Sequence, residues 1–317
     1  MTVALIGTGL IGASLAQAWR SRRPDVHIVG FDRPEPLEVA VQRGAIHQAA
    51  QSAAQAVEAA EVVVLATPIG AMPAILDEIA PHLNAGATVT DVGSVKAGVV
   101  AYARRVLPET VRVVGGHPMA GTADSGPAHA DPLLFENATY VLCPANPEEL
   151  DPETFEAAHP RLLDLVRATG ARTLILDAER HDRAAAGVSH VPQLVAVALV
   201  EEAIAQDDPA LLRLAAGGFR DMTRIASSRF SMWQSILAAN KGAVVETLRR
   251  LEERLARYRA GIDAGELSEL AAEFESAGET RRSIPRDMKG FLRPLADVYV
   301  YAEDRPGYLA RLTGILF

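Results

Sequence analysis

The residues best suited to chemistry lie in the run Gly115-Gly116-His117-Pro118-Met119-Ala120-Gly121-Thr122. A neutral imidazole can take a proton from a hydroxyl as hydride leaves the same carbon. The two glycines before His117 leave room for a ligand beside it, and Pro118 biases it towards an extended backbone. A lone histidine there also serves as a hydrogen-bonded turn residue, so its neighbours carry the weight. Upstream, Asp91-Val92-Gly93-Ser94-Val95-Lys96 offers Ser94, which either orients that imidazole or a substrate hydroxyl or simply caps the next helix. Lys96 either meets a phosphate or starts that helix. Downstream, Arg220, Asp221 and Arg224 are spaced to share one helical face, which by itself reads as a surface ion-pair helix. Asp182, Ala186, Ser189 and Gln193, spaced four, three and four apart, form one polar stripe that is expected to line a cleft. Pro192 interrupts the backbone ladder inside that stripe and frees the carbonyl of Val188. Trp233 closes a pocket edge or belongs to the core.

A second constellation opens the chain. Gly7-Thr8-Gly9-Leu10-Ile11-Gly12 stands where an apolar run over 3–6 gives way to helix-favouring residues. In such a turn the first glycine permits the bend, the second lets backbone approach a pyrophosphate and the third lets helix and strand pack closely. The helix N-terminus then attracts phosphate charge. Asp32 follows Gly12 by twenty residues, where a carboxylate accepts hydrogen bonds from an adenosine ribose. It would repel a 2′-phosphate, so NAD is the expected cofactor, although Arg33 could pair with such a phosphate. Thr67, Pro68 and Ser94 are the other expected cofactor contacts, in loops that follow strands.

These residues need a scaffold that gathers loops at one edge. Strands are expected over 3–6, 27–31, 62–66, 88–91, 112–114, 139–142 and 173–176, and helices over 12–22, 36–43, 70–83, 96–106 and 153–169. The alternation predicts an α/β Rossmann domain over 1–178, a mainly parallel, doubly wound sheet with ligands outside the strands' carboxyl ends. From 179 to 282 alanine, leucine and helix-forming charged residues dominate, which predicts an all-α domain. Positions 283–296, with Arg286, Lys289 and Arg293, read as a solvated basic linker. A strand, the turn Asp304-Arg305-Pro306-Gly307 and a helix follow, the opening of a third domain over 297–317.

Composition narrows the class. With 31 Lys+Arg against 40 Asp+Glu the formal charge is −9, which argues against a nucleic-acid or anionic-membrane partner. Cys143 is the single cysteine, so an internal disulfide is excluded, no metal site is expected, and a cytoplasmic setting fits. The apolar N-terminus lacks the leading basic residue of a signal peptide and meets Arg20 too early for a membrane span.

Together these runs resemble the prephenate and arogenate dehydrogenases of tyrosine biosynthesis, over Thr2 to about Arg282. Besides the glycine turn and the two runs around Ser94 and His117, the resemblance rests on His181-Asp182, Ser189-His190-Val191-Pro192 and Gly217-Gly218-Phe219-Arg220-Asp221-Met222-Thr223-Arg224-Ile225-Ala226. It implies NAD-dependent oxidative decarboxylation of prephenate, or alternatively of arogenate, with His117 as base, Ser94 beside it and Arg224 on the ring carboxylate. Thr122, Asp182, Ser189, Gln193, Arg220, Asp221 and Trp233 complete the implied substrate pocket, and a homodimer is implied as well. Gln193 stands where most prephenate-specific relatives carry a second histidine, which leaves the choice of substrate open. The segment over 297–317 is similar to the start of an ACT regulatory domain, whose effector would be tyrosine. A β-hydroxyacid type of dehydrogenase, relying on a lysine such as Lys241, and a non-catalytic nucleotide sensor are the competing readings.

Overall fold

Val62-Val63-Val64-Leu65 is an unbroken aliphatic run of the kind that only a strand covered on both faces tolerates, and all four side chains are buried. The computed structural model describes residues 1–121 and 126–284. Its first part alternates β1 (Thr2–Ile6), α1 (Leu10–Arg22), β2 (His27–Phe31), α2 (Pro34–Gln42), β3 (Gln48–Ala49), α3 (Ala53–Val57), β4 (Val62–Leu65), α4 (Met72–Ile79), β5 (Thr88–Asp91), α5 (Ala97–Val106) and β6 (Arg112–Pro118). Then come β7 (Thr139–Pro144), α6 (Pro152–Ala158), α7 (Pro160–Ala168) and β8 (Arg172–Ile175). The sheet order is β3-β2-β1-β4-β5-β6-β7-β8, so the chain winds outward in both directions from the β1–β4 junction. The strands up to β6 pair in parallel; β7 runs antiparallel to β6, and β8 runs parallel to β7.

Two apolar layers cover the sheet. Leu15 and Trp19 of α1 pack with Leu162 and Val166 of α7 on one face, while Val57, Leu76 and Ala103 of α3, α4 and α5 fill the other. The Trp19 indole N–H reaches the Leu165 carbonyl at 2.9 Å, satisfying the one polar atom of a buried ring.

Three departures from the expected elements have physical causes. β3 is only two residues long and carries no alternating apolar signal. The expected helix over 153–169 is broken at Pro160, which cannot donate to the ladder and instead starts α7. β6 continues past 114 through Pro118, so His117 sits in a strand paired with Val141 rather than in an exit loop. The glycines there serve close packing: a Cβ on Gly116 would stand 2.3 Å from the Asp91 carbonyl oxygen.

After β8 the chain is helical: α8 (Ala178–Ala185), a π turn (Ala186–His190) and α9 (Val191–Ala205), then α10 (Pro209–Leu214), α11 (Gly217–Thr223), a 3₁₀ turn (Arg224–Ser227), α12 (Phe230–Ala239), α13 (Lys241–Ala264) and α14 (Ser268–Ser283). The π turn answers Pro192. The Val191 N–H bonds to Ala186 five residues back, and the widened turn absorbs the missing donor without ending the helix. The expected linker beyond 284, the strand and helix over 297–317, and Thr122 lie outside the described residues.

Candidate active site

Gly7 has φ of 101°, and a Cβ there would stand 2.4 Å from the Ala66 carbonyl oxygen. A Cβ on Gly12 would meet the Gly7 carbonyl oxygen at 2.1 Å, whereas one on Gly9 would meet nothing within 4 Å. Gly7 and Gly12 are therefore glycines for packing, and Gly9 faces open space. Gly9 also caps α1 with no side chain on its first N–H groups, which leaves a positive helix end for an anion. Leu10 and Ile11 are half-buried and pack their side chains against the core.

Asp32 ties this turn to β2. One carboxylate oxygen accepts from the Thr8 N–H at 2.7 Å and the Thr8 hydroxyl at 3.1 Å, and the other accepts from the Arg33 N–H at 2.7 Å. Thr8, fully buried, thus braces the loop. Gly7, Gly9, Asp32, Arg33, Thr67 and Pro68 line one cleft of about 1370 Å³, joined by Gly126 and Pro127. That exceeds the ~300–1,000 Å³ of ordinary small-ligand sites and admits a dinucleotide. The Thr67 hydroxyl is buried with no partner among the described residues, a polar atom left for a ligand.

Further along the same edge, Lys96 is fully buried and its ammonium bonds the Asp91 carboxylate and, at 2.6 Å, the Gly116 carbonyl. It joins β5 to β6 beside His117 and sits at the cap position of α5, so it starts that helix, with its ammonium turned inward rather than towards a phosphate. Asp91 also accepts from the N–H groups of Gly93 at 2.8 Å and Gly116 at 3.2 Å. Ser94 is half-buried in the connecting loop; it does not cap α5, whose cap position is Lys96. The cap comes instead from Asp182, whose two oxygens accept the N–H groups of Lys96 at 2.7 Å and Ala97 at 2.9 Å. The expectation that Asp182 lines the cleft is thereby corrected: its carboxylate is buried, bonded to the α5 N-terminus and to His181.

His117 is 8% exposed. Its Nδ1 lies 2.8 Å from Nε2 of His181, whose own Nδ1 lies 2.8 Å from Asp182. Burial pushes the His117 imidazole well below its ordinary value, and the Lys96 cation, then His181 and His190, push the same way. The ring is neutral near pH 7, as a base must be.

The helical domain brings further groups. Asn240 donates to the Asp182 carbonyl at 2.8 Å and to His190 Nδ1 at 3.1 Å, so His190 carries its proton on Nε2. That N–H and the Trp233 indole N–H are both buried without an acceptor among the described residues, with the rings edge to face at 6.1 Å. Gln193 is buried, and its amide donates to the Ile225 carbonyl at 2.9 Å, so it holds the turn that begins at Arg224. Arg220, Asp221 and Arg224 are exposed and, among the described residues, form no ion pair with one another. α11 stops at Thr223, which places Arg224 in a 3₁₀ turn rather than on the expected helical face. Ser189 is half-buried in the π turn, which inserts an extra residue into the predicted stripe. Sequence reasoning quoted His181 and His190 but gave them no role; a histidine and aspartate side by side one turn after the capping Asp177 was the available signal.

Residues 15–174 match the model of the prephenate dehydrogenase nucleotide-binding domain, and 177–276 that of the prephenate dehydrogenase dimerization domain. The chain is 36% identical to prephenate dehydrogenase of Bacillus subtilis (strain 168), over 99% of its own length and 84% of that protein. Among solved structures it is similar to prephenate dehydrogenase from A. aeolicus in complex with hydroxyphenyl propionate and NAD+, with a TM-score of 0.79 and 30% identity over 90% of this chain and 98% of that one. Synechocystis arogenate dehydrogenase gives a TM-score of 0.76 and 31% identity, over 90% and 100% of the two chains.

Proposed function

Since the chain belongs to the prephenate dehydrogenase family, we propose that it oxidatively decarboxylates prephenate to 4-hydroxyphenylpyruvate with NAD as oxidant. The observation that carries this reading is a neutral, buried His117 on the same sheet edge as a glycine turn with an open helix end. When bound, NAD supplies the acceptor for the hydride that leaves the substrate's carbinol carbon. The open backbone at Gly9 would meet its pyrophosphate, with Gly7 and Gly12 packing the turn tightly behind it; Asp32 would take the adenosine ribose, and Arg33, Thr67 and Pro68 would flank it.

His117 takes the hydroxyl proton, and the ring carboxylate departs as carbon dioxide while the ring becomes aromatic, which supplies the driving force. The chain's task is to orient and to bind. The exposed Arg224 guanidinium suits the ring carboxylate, with Arg220 and Asp221 beside it and Gln193 fixing the turn. The two acceptor-free N–H groups of His190 and Trp233 suit a substrate oxygen. Ser94 and Ser189 add hydroxyls, and Thr122 is the remaining expected contact.

The alternative, arogenate as substrate with tyrosine released directly, is favoured by one residue. Gln193 gives the pocket no cation for a pyruvyl carboxylate. Coupled assays of NADH formation with prephenate and with arogenate decide between them through kcat/KM, and no NADH with either substrate overturns the proposal. The reading includes a homodimer through the helical domain, supported by exposed Val188, Val197, Ile204 and Phe230. A light-scattering mass equal to the 33.7 kDa chain would refute it. It also includes a cytoplasmic setting and, through the ACT-like segment over 297–317, a tyrosine effector; adding tyrosine to the same assay tests the latter.

A further inference from the structure

The geometry points to His181, braced by Asp182, as a positioning residue that fixes which nitrogen of His117 is the base and then receives the proton His117 has taken. This rests on the reading of His117 as the base. The chain of contacts is short and dry: Asp182 to His181 Nδ1 at 2.8 Å, then His181 Nε2 to His117 Nδ1 at 2.8 Å, with all three side chains buried.

The proton positions follow from the donors and acceptors. Asp182 already accepts two backbone N–H bonds at the start of α5, and the same carboxylate accepts from His181 Nδ1. With Nδ1 donating to Asp182, Nε2 is the side of the His181 ring left to accept from His117 Nδ1. The His117 proton is thereby held on Nδ1, and its Nε2, which has no partner among the described residues, keeps the lone pair that a substrate hydroxyl requires. Left to itself, a neutral imidazole in water favours the opposite tautomer, so the choice depends on His181.

The same contacts dispose of the charge. As the substrate O–H bond breaks, an N–H bond forms at His117 Nε2. The His117 Nδ1–H bond then breaks as an N–H bond forms at His181 Nε2. The positive charge ends on His181 against the Asp182 carboxylate instead of on His117 beside the Lys96 ammonium. After product release His117 Nε2 gives its proton to solvent and recovers the other from His181, so nothing is consumed. The titratable groups facing this pair are Lys96 and Asp91 from β5 and the start of α5, Tyr140 and Cys143 from β7, Asp177 and Asp182 beside α8, and His190 from the π turn.

The test compares His181→Leu with His181→Gln, whose amide oxygen can still accept from His117 Nδ1 but cannot carry the proton. His181→Leu is expected to lower kcat by ~10²-fold or more with substrate KM and NAD Kd within threefold, and His181→Gln to lose less. In a His117→Asn background the Leu substitution is expected to add no further loss. Nitrogen NMR of ¹⁵N-histidine-labelled protein without cofactor is expected to show His117 protonated at Nδ1 in the parent and at Nε2 in His181→Leu. Near-parental kcat in His181→Leu while His117→Asn is inactive overturns the relay alone. Near-parental kcat in His117→Asn overturns the reading of the base itself. Should His181→Leu fail to fold, an Nε2-protonated His117 in the parent spectrum overturns the proposal by itself.

Discussion

Replacing Lys96 with methionine keeps the length of the side chain and removes the ammonium. Three consequences follow. The Asp91 carboxylate stays buried with only the Gly93 and Gly116 N–H groups to answer it, and the Gly116 carbonyl loses its 2.6 Å donor. Breaking one side of a buried ion pair costs about 3–5 kcal/mol, because the other charge is left uncompensated. At ~2–4 °C per kcal/mol for a domain of about this size, Tm is expected to fall by roughly 6–20 °C. The cation that helps depress the His117 protonation value also disappears, so the acid limb of kcat/KM is expected to move to higher pH. Circular-dichroism melts and a pH series of initial rates measure the two effects. The double change Lys96→Met with Asp91→Asn removes both charges and is expected to recover most of the lost Tm. A single variant melting within about 2 °C of the parent, or a double variant no better than the single, would refute the reasoning.

Other perturbations have separate readouts. His117→Asn is expected to lower kcat by ~10²–10⁴ with NAD affinity unchanged by calorimetry. Arg224→Ala is expected chiefly to raise substrate KM, and an unchanged KM ends its assignment to the carboxylate. Gly9→Ala has room for its methyl group, so it is expected to fold normally and to lose dinucleotide affinity, whereas Gly12→Ala drives a methyl group into the Gly7 carbonyl and is expected to lose the fold. Burial lowers the protonation values of His117, His159 and His190, so between those values and the unfolded value near 6.5 the unfolded chain binds more protons. Stability from these groups is therefore present above pH ~6.5 and lost as pH falls below it; a Tm that rises on acidification from pH 6.5 to 5 contradicts this.

What could be read in the sequence was what local spacing dictates. The glycine turn, Asp32 and the mainly parallel sheet follow from strand, turn and helix signals that adjoin in the chain. His117 was visible by its neighbours, but its place in a strand was not, because Gly115 and Gly116 argue against β structure until β7 is known to lie beside them. Asp182 illustrates the larger gap. On a helical wheel it belongs to a polar stripe, yet its carboxylate caps a helix eighty-odd positions earlier in the chain. Lys96 is similar, since a lysine after a loop reads as solvated until the Asp91 carboxylate is found next to it. Long-range pairing of polar groups leaves no periodic trace.

The reversal of β7 and β8 has a geometric consequence. Because β8 descends antiparallel to β6, it delivers the chain to the level of Gly116, at the rim from which the parallel strands exit. Only Leu176 and Asp177 separate β8 from α8, so there is almost no slack between the pleated layer and the helices. The meeting of the two imidazoles is therefore dimensioned by the main chain itself, and a single residue inserted at that junction would rotate His181 about a hundred degrees around its helix and away from its partner.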